Sequence, residues 1–307
     1  MKFPGLRFLF LLLVINPVTS FTQEARLSYE FLPGKIYLLD IEMQQSTSSE
    51  TLNSEDINMY SSVLLEFRLD SITSEKLLHM SVRYKKLHLS MLAPGLGIDI
   101  NSETGSNRFL TDLVDTLQGS WFRLSMKESG ELDSLTGLTE IFQKLDAYPA
   151  EDRQEAELTM GSLLEAYGPD AFRSLFNLFV DIYPKVQPIM NWTKDLTYYF
   201  NTKPVEIANR YYYTKTSGEV HTIQGMGMIN ALKEYSETLP MGEVSSTVSG
   251  TQTYDFQTDV TSGWLIRCIS KQRLIIETTI VKSTRLPVGL KIPSYTETAY
   301  EVKGTIQ

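Results

Sequence analysis

Residues 138–184 read LTEIFQKLDAYPAEDRQEAELTMGSLLEAYGPDAFRSLFNLFVDIYP, and this stretch decides how the rest of the chain is interpreted. Its apolar residues recur at intervals of three and four, the spacing of one face of an α-helix. Pro149, Pro169 and Pro184 interrupt the pattern, so it predicts three successive helices. The third helix has the widest apolar face: Phe172, Leu175, Phe176, Phe179, Ile182 and Tyr183. Faces this bulky must pack on something. They either cover one face of a β-sheet or close an apolar ligand cavity.

The segments on both sides of this block have the alternating pattern of half-buried strands. Val63–Asp70 and Leu78–Lys85 alternate and are joined by a short connection, which predicts a hairpin. Trp121–Leu135 predicts a second hairpin. Short helices are predicted at Arg108–Leu117, with Ser106 or Asn107 as its N-cap, and around Met228–Tyr235.

These elements predict an α+β fold, with a strongly curved antiparallel sheet or partial barrel and helices packed on its concave face. Both halves have a similar order of elements and a hairpin turning on Ser-Gly, at Ser129-Gly130 and Ser262-Gly263. This order suggests an internal duplication, and a generic β-meander is the alternative. The predicted segments are a signal peptide at 1–22, a first β-rich half at 23–137, the central helices at 138–184 and a second β-rich half at 185–307. We expect the halves and the helices to form one domain.

The amino terminus predicts export. Lys2 and Arg7 precede the short apolar run Phe8–Ile15, and small residues follow at Val18–Ser20. This is the pattern of a cleaved secretory signal peptide, and the run is too short to span a bilayer. No later stretch has the length of a transmembrane helix. We therefore expect a protein that is soluble in the periplasm or outside the cell after cleavage.

Charge and cysteine content exclude several functions. The net charge is −9 and no cluster of Lys and Arg compensates for it, so nucleic-acid binding is not expected. Cys268 is the only cysteine, which rules out an intramolecular disulfide. A buried, unreactive thiol is the favoured interpretation of Cys268, because a nucleophile needs a basic partner and the chain has only three histidines.

No catalytic or metal motif is found, and no cofactor is predicted. His79 and His88 lie nine residues apart in extended chain and should point to opposite faces, and His221 is distant in sequence. HExxH, CxxC, GxSxG and P-loop patterns are absent. A carboxylate site remains as a hypothesis that needs three-dimensional proximity among Asp70, Asp133, Asp255 and Asp259.

Aromatic residues are the best candidates for ligand contact. Those on the third helix and in the Tyr198–Phe200 and Tyr211–Tyr213 runs could hold an apolar ligand. Ordinary core packing, with some exposed tyrosines, is the alternative. The predicted ligand-binding residues are Phe172, Phe176, Phe179, Tyr199 and Tyr212.

Several short motifs resemble a family of uncharacterised secreted proteins of Bacteroidota. They are Ser20–Gln23, Phe31–Tyr37, Ser129–Leu132, the Tyr183-Pro184 step before Trp192, and Asp259–Trp264. The resemblance implies export and supplies no catalytic residues. The predicted fold is also similar to the half-barrels of lipoprotein carriers.

These features predict an exported envelope protein without enzymatic activity that binds or carries a lipid or another apolar ligand. One alternative is an interaction or scaffold protein that binds another envelope protein and no small ligand. A second alternative is a hydrolase whose carboxylates meet only in the folded chain.

Overall fold

A computed structural model describes residues 27–49, 56–93, 96–104, 108–146, 153–186, 190–200, 203–239 and 242–307. The predicted signal peptide and the predicted caps Ser106 and Asn107 lie outside these residues.

Strands make up most of the described chain, with four helices between them. The strands are β1 Ile36–Ser48, β2 Ile57–Ile72, β3 Leu78–Ala93, β4 Leu96–Asn101, β5 Phe122–Met126, β6 Leu132–Thr136, β7 Asn191–Phe200, β8 Lys203–Ser217, β9 Val220–Ala231, β10 Tyr235–Leu239, β11 Gly242–Asp259, β12 Leu265–Ser283 and β13 Lys291–Ile306. The helices are α1 Arg108–Gly119, α2 Leu138–Asp146, α3 Arg153–Tyr167 and α4 Pro169–Phe179.

All strands belong to one antiparallel sheet of 13 strands. Its order is β6-β5-β3-β2-β1-β13-β12-β11-β9-β8-β7, with β4 added to β3 and β10 added to β11. The sheet is open, because β6 and β7 are its edges and no pairing joins them within the described residues. The first and last strands pair in the middle, where Ile41 lies opposite Val302. The antiparallel sheet expected from the alternating sequence is thereby confirmed.

Alternation explains which residues reach the interior. In β2, Val63, Leu65 and Phe67 are buried, and their neighbours Leu64 and Arg68 are more exposed. The predicted β2–β3 and β5–β6 hairpins are both present. Gly130 turns the second hairpin at φ +88°, where an added Cβ would lie 2.0 Å from the carbonyl oxygen of Val180. Glycine is required there by both the backbone angle and the space.

Two local predictions are corrected by the structure. The helix expected around Met228 is instead the end of β9, which is paired on both sides by β8 and β11. Its apolar spacing imitates a helix, but every second side chain faces inward. The second half therefore has no counterpart of α1 within the described residues. Helix α4 ends at Phe179 rather than near Tyr183.

A cluster of aromatic rings fills the interior near the start of β1. The indole of Trp264 contacts four rings at centroid distances of 5.4–6.2 Å, those of Tyr29, Phe31, Tyr37 and Phe67. Its Nε1 donates a hydrogen bond of 3.1 Å to the carbonyl oxygen of Leu38. The indole hydrogen bond is thus satisfied where the ring is buried.

Helix α4 contacts strands that are far apart in the sheet order. Phe172 packs against Phe122 of β5 at a centroid distance of 5.0 Å. Phe179 packs against Tyr300 of β13 at 5.3 Å. The Asn177 side chain donates to a β7 carbonyl oxygen at 3.1 Å. One helix of 11 residues therefore reaches near both edges of the sheet and its centre.

Candidate functional site

A cavity of about 500 Å³ lies between the sheet and the helices α3 and α4. Ligand pockets in proteins are typically about 300–1,000 Å³ and mostly apolar. Strands β1, β2, β3, β7 and β13 contribute Ile41, Met43, Gln45, Met59, Ser61, Val63, Leu89, Met91, Tyr198, Tyr199 and Tyr300. The helices and the link between them contribute Gly161, Ser162, Leu164, Glu165, Ala166, Pro169, Asp170, Ala171, Ser174 and Leu175.

The strand register builds the floor of the cavity. One cross-strand row runs through four neighbouring strands as Leu89, Ser61, Met43 and Tyr300. The next row contains Met91, Met59 and Gln45. Residues two apart on a strand share a face, so adjacent rows line the same side of the sheet. Three flexible methionines in this floor can adapt to the shape of an apolar ligand.

Exposure distinguishes the deep end from the mouth. Ile41, Val63, Leu89 and Tyr300 are buried, which makes this part of the floor the deep end. Gly161, Leu164, Glu165 and Asp170 are exposed, and they lie on α3 and at the start of α4. The mouth therefore lies where α3 meets α4.

Several polar groups of the wall have hydrogen-bond partners within the protein. Ser174 Oγ donates to the carbonyl oxygen of Asp170 at 2.9 Å and accepts the Tyr199 backbone N–H at 2.9 Å. The hydroxyls of Tyr198 and Tyr300 lie 3.4 Å apart. Burial raises the pKa of both tyrosines, so both hydroxyls stay protonated. Away from the mouth, a wall of this kind offers an apolar ligand a contact area without charged groups.

The charged residues of the lining all carry the same sign. Glu165 and Asp170 are at the mouth, and no Lys, Arg or His of the described residues lines the cavity. Neither carboxylate forms an ion pair with a described cation. The charged side chains that line the mouth are therefore both negative.

The five predicted ligand-binding residues are distributed between the cavity and other parts of the protein. Tyr199 lines the cavity. Phe172, Phe176 and Phe179 are buried in the core and do not line it. Tyr212 is exposed on β8, where Arg210 lies over its ring at 6.0 Å. All five remain predictions as binding residues.

Sequence reasoning missed the methionines of the floor. Met43 could be placed on the dry face of its strand by alternation. The pairing of β1 with both β2 and β13, which brings Met43 beside Ser61 and Tyr300, has no local signal in the sequence.

The other candidate groups lie elsewhere. Asp70 accepts a hydrogen bond from Ser81, and Asp133 accepts one from Ser125. Asp259 accepts the N–H of Ser262 within its own turn, and none of these aspartates lines the cavity. Among the described residues, no three His, Cys, Asp or Glu side chains are grouped to hold a metal ion.

The histidines and the cysteine have separate environments. His88 Nε2 lies 2.9 Å from Asp99 Oδ1, and His221 Nδ1 lies 3.3 Å from the Tyr213 hydroxyl. Cys268 is fully buried, and this burial raises the pKa of its thiol well above the ordinary value. Its thiol therefore stays protonated and unreactive. No helix in the described part of the chain has the length and apolarity to cross a membrane.

The chain belongs to the family of unknown function DUF6263, whose model matches residues 75–265. No curated protein matches the sequence. A structure of lipovitellin, described for its lipid–protein interactions, matches with a TM-score of 0.53 at 11% identity. The match covers 91% of this chain and 26% of lipovitellin, so this chain spans about a quarter of that protein. At this identity the likeness concerns the fold alone.

Outer membrane channels match more weakly. OmpF of Salmonella typhi has a TM-score of 0.23 at 6% identity, covering 88% of this chain and 97% of OmpF. An outer membrane channel of Pseudomonas putida F1 has a TM-score of 0.20 at 8% identity. The match covers 91% of this chain and 98% of the channel. Likenesses of this size carry no argument about fold or function.

Proposed function

We propose that this DUF6263 member is an exported, non-enzymatic protein of the cell envelope that binds or carries a lipid or another apolar ligand. The ligand would occupy the cavity between α3, α4 and the sheet. The observation that carries the proposal is the apolar cavity of about 500 Å³ enclosed by these elements. The N-terminal pattern of Lys2, Arg7 and the apolar run after them supports the export.

The proposal includes helices on the concave side of a strongly curved sheet. Helix α4 contacts β5, β13 and β7, which span nine steps of the strand order. At about 4.8 Å per step, β5 and β7 would be about 43 Å apart in a flat sheet. A helix of 11 residues is about 16 Å long, so a sheet that contacts it at both sides must bend around it. These contacts support the proposal that the helix lies on the concave side.

The similarity to lipovitellin supports the same proposal at the level of the fold. Its structure concerns lipid–protein interactions, and a half-barrel that encloses apolar side chains suits such a role. Within this proposal, Tyr199 contacts the ligand directly. Phe179 supports the lining residue Tyr300 from behind.

Ala171 offers a direct test, because it lines the cavity and carries the smallest side chain beyond glycine. Native mass spectrometry of protein purified from its own host should reveal a bound lipid. Ala171→Phe should fill part of the cavity and abolish this bound mass. The matched control is Ala208→Phe, at an exposed position of β8, which should retain it. A bare protein mass for the unmodified chain, or equal retention in both variants, would count against a carrier.

Binding of another envelope protein is the second candidate. Met226 and Met228 lie two residues apart on β9 with exposed fractions of 56% and 63%, so they form an apolar spot on the outer face. Loss of partner capture in a Met226→Gln/Met228→Gln variant, together with a bare native mass, would favour this function over lipid carriage.

A further inference from the structure

The charge at the cavity mouth selects among apolar ligands by their polar ends. We propose that the cavity takes single-chain amphiphiles with an uncharged or cationic head group and discriminates against free fatty acids. The inference rests on the proposed function and adds the chemical class of the ligand. It is carried by the position of Glu165 and Asp170 at the exposed mouth and by the apolar deep end.

The cavity has a direction that suits an amphiphile. Its deep end contains Ile41, Val63 and Leu89, which offer only apolar contact. At its mouth, Glu165 and Asp170 are in contact with solvent. An acyl chain gains free energy by entering the deep end, because its surface leaves water. The polar end of the same molecule then remains at the mouth beside the two carboxylates.

The size of the cavity suits a single chain. A methylene group occupies a volume close to that of one water molecule, about 30 Å³, so about 17 such groups fill 500 Å³. A single long acyl chain has this size, and a molecule with two such chains is too large for the cavity alone.

The sign of the field at the mouth opposes a carboxylate head group. No described Lys, Arg or His lines the cavity, so nothing there compensates a ligand anion. The start of α4 would attract an anion through its helix dipole, but Asp170 already occupies that first turn. A trimethylammonium or glycerol head group meets no such repulsion. At low ionic strength the discrimination should be roughly fivefold, the effect of one unit charge a few ångströms away in water.

Three ligands that share a chain of the same carbon number and differ in the charge of the head group test this inference. They are tetradecanoate, monotetradecanoylglycerol and tetradecyltrimethylammonium. Each is titrated below its micelle concentration at about pH 8, where a carboxylate ligand is ionised. Displacement of the uncharged probe N-phenyl-1-naphthylamine from the purified protein gives the affinities. Tetradecanoate should bind roughly fivefold more weakly than the glycerol ester, and the trimethylammonium ligand should bind more tightly than the ester. Added salt should narrow both differences.

Matched variants distinguish the effect of the two carboxylates at the mouth from the effect of the net charge of the protein. Glu165→Gln/Asp170→Asn should bring tetradecanoate to the affinity of the glycerol ester. Glu206→Gln/Glu219→Gln removes the same charge at exposed sites outside the cavity and should leave the discrimination intact. Equal affinity for all three ligands in the unmodified protein would overturn the inference and leave the proposed function standing. Failure of all three ligands to bind would overturn both.

Discussion

The hydroxyls of Tyr198 and Tyr300 lie 3.4 Å apart, although their strands β7 and β13 are separated by five steps in the sheet. Five steps of about 4.8 Å amount to about 24 Å in a flat sheet, too far for two tyrosine side chains on one face to meet. The sheet must therefore bend between these strands. The same two residues line the cavity, so the bend and the enclosed volume are linked.

Substitutions of two tryptophans, one inside the aromatic cluster and one outside it, should differ greatly in their effect on stability. Trp264→Ala removes a buried indole that contacts four rings, so we expect a loss of about 3–5 kcal/mol in the free energy of unfolding. Trp121→Ala, on an exposed ring that lies beside Arg68 and Arg83, should cost about 1 kcal/mol or less. Urea denaturation of both variants measures the difference. Equal losses would contradict the role of Trp264 as the centre of the core.

Gly161 and Gly130 predict opposite effects of the same substitution. Gly161 lies inside α3 and an added Cβ meets no atom within 4 Å, so Gly161→Ala should stabilise the protein by about 0.5–1 kcal/mol. At Gly130 the positive φ and the nearby Val180 carbonyl oxygen oppose a side chain. Gly130→Ala should destabilise by at least about 1 kcal/mol. Thermal unfolding of the two variants would refute this account if both moved in the same direction.

The buried pair Asp181 and Lys194 predicts a pH dependence. Burial raises the pKa of Asp181 while the Lys194 ammonium opposes the rise, and burial lowers the pKa of Lys194. Lys194→Met removes the opposing charge, so the folded-state pKa of Asp181 should rise further. The folded variant then keeps a proton that the unfolded chain releases above about pH 4, so its stability falls as the pH rises through that window.

The free energies of unfolding of Lys194→Met and of the unmodified protein, measured at pH 4 and pH 7, test this direction of the pH dependence. The variant's deficit should be larger at pH 7, at about 3–5 kcal/mol. Lys203→Met removes a cation from the more exposed pair with Glu237 and should change stability by less than about 1 kcal/mol at either pH. A deficit that is independent of pH would refute the assignment.

The contribution of Glu66 to stability should have the opposite pH dependence. Burial acts to raise its pKa, but hydrogen bonds from Arg83 and Arg68 prevail and lower it. Its contribution to stability is therefore present above about pH 4.3, the unfolded value, and is lost as the pH falls through the lower folded-state pKa. Glu66→Gln should cost about 1–3 kcal/mol at pH 7 and much less in acid. Glu206→Gln, an exposed carboxylate, serves as the control. A cost that stays constant into acid would contradict this account.

Local patterns in the sequence predicted most of the elements, because alternation and helical spacing are properties of neighbouring residues. The β2–β3 hairpin and α4 are examples. Around Met228, spacing alone misled, because a strand that is paired on both sides accepts apolar residues on its outward face too. The row through Leu89, Ser61, Met43 and Tyr300 was beyond prediction, since it depends on strands more than 200 residues apart.

The pairing of β1 with β13 has a consequence for how the protein forms. Ile36 and Gln307 exchange backbone hydrogen bonds of 3.1 and 2.9 Å, and β13 occupies the middle of the sheet. Strand β13 follows all the other described strands in the chain, so the full sheet cannot form until β13 has been synthesised. Such a delay would keep the chain unfolded while it is threaded through a translocation pore, which suits the export that we propose.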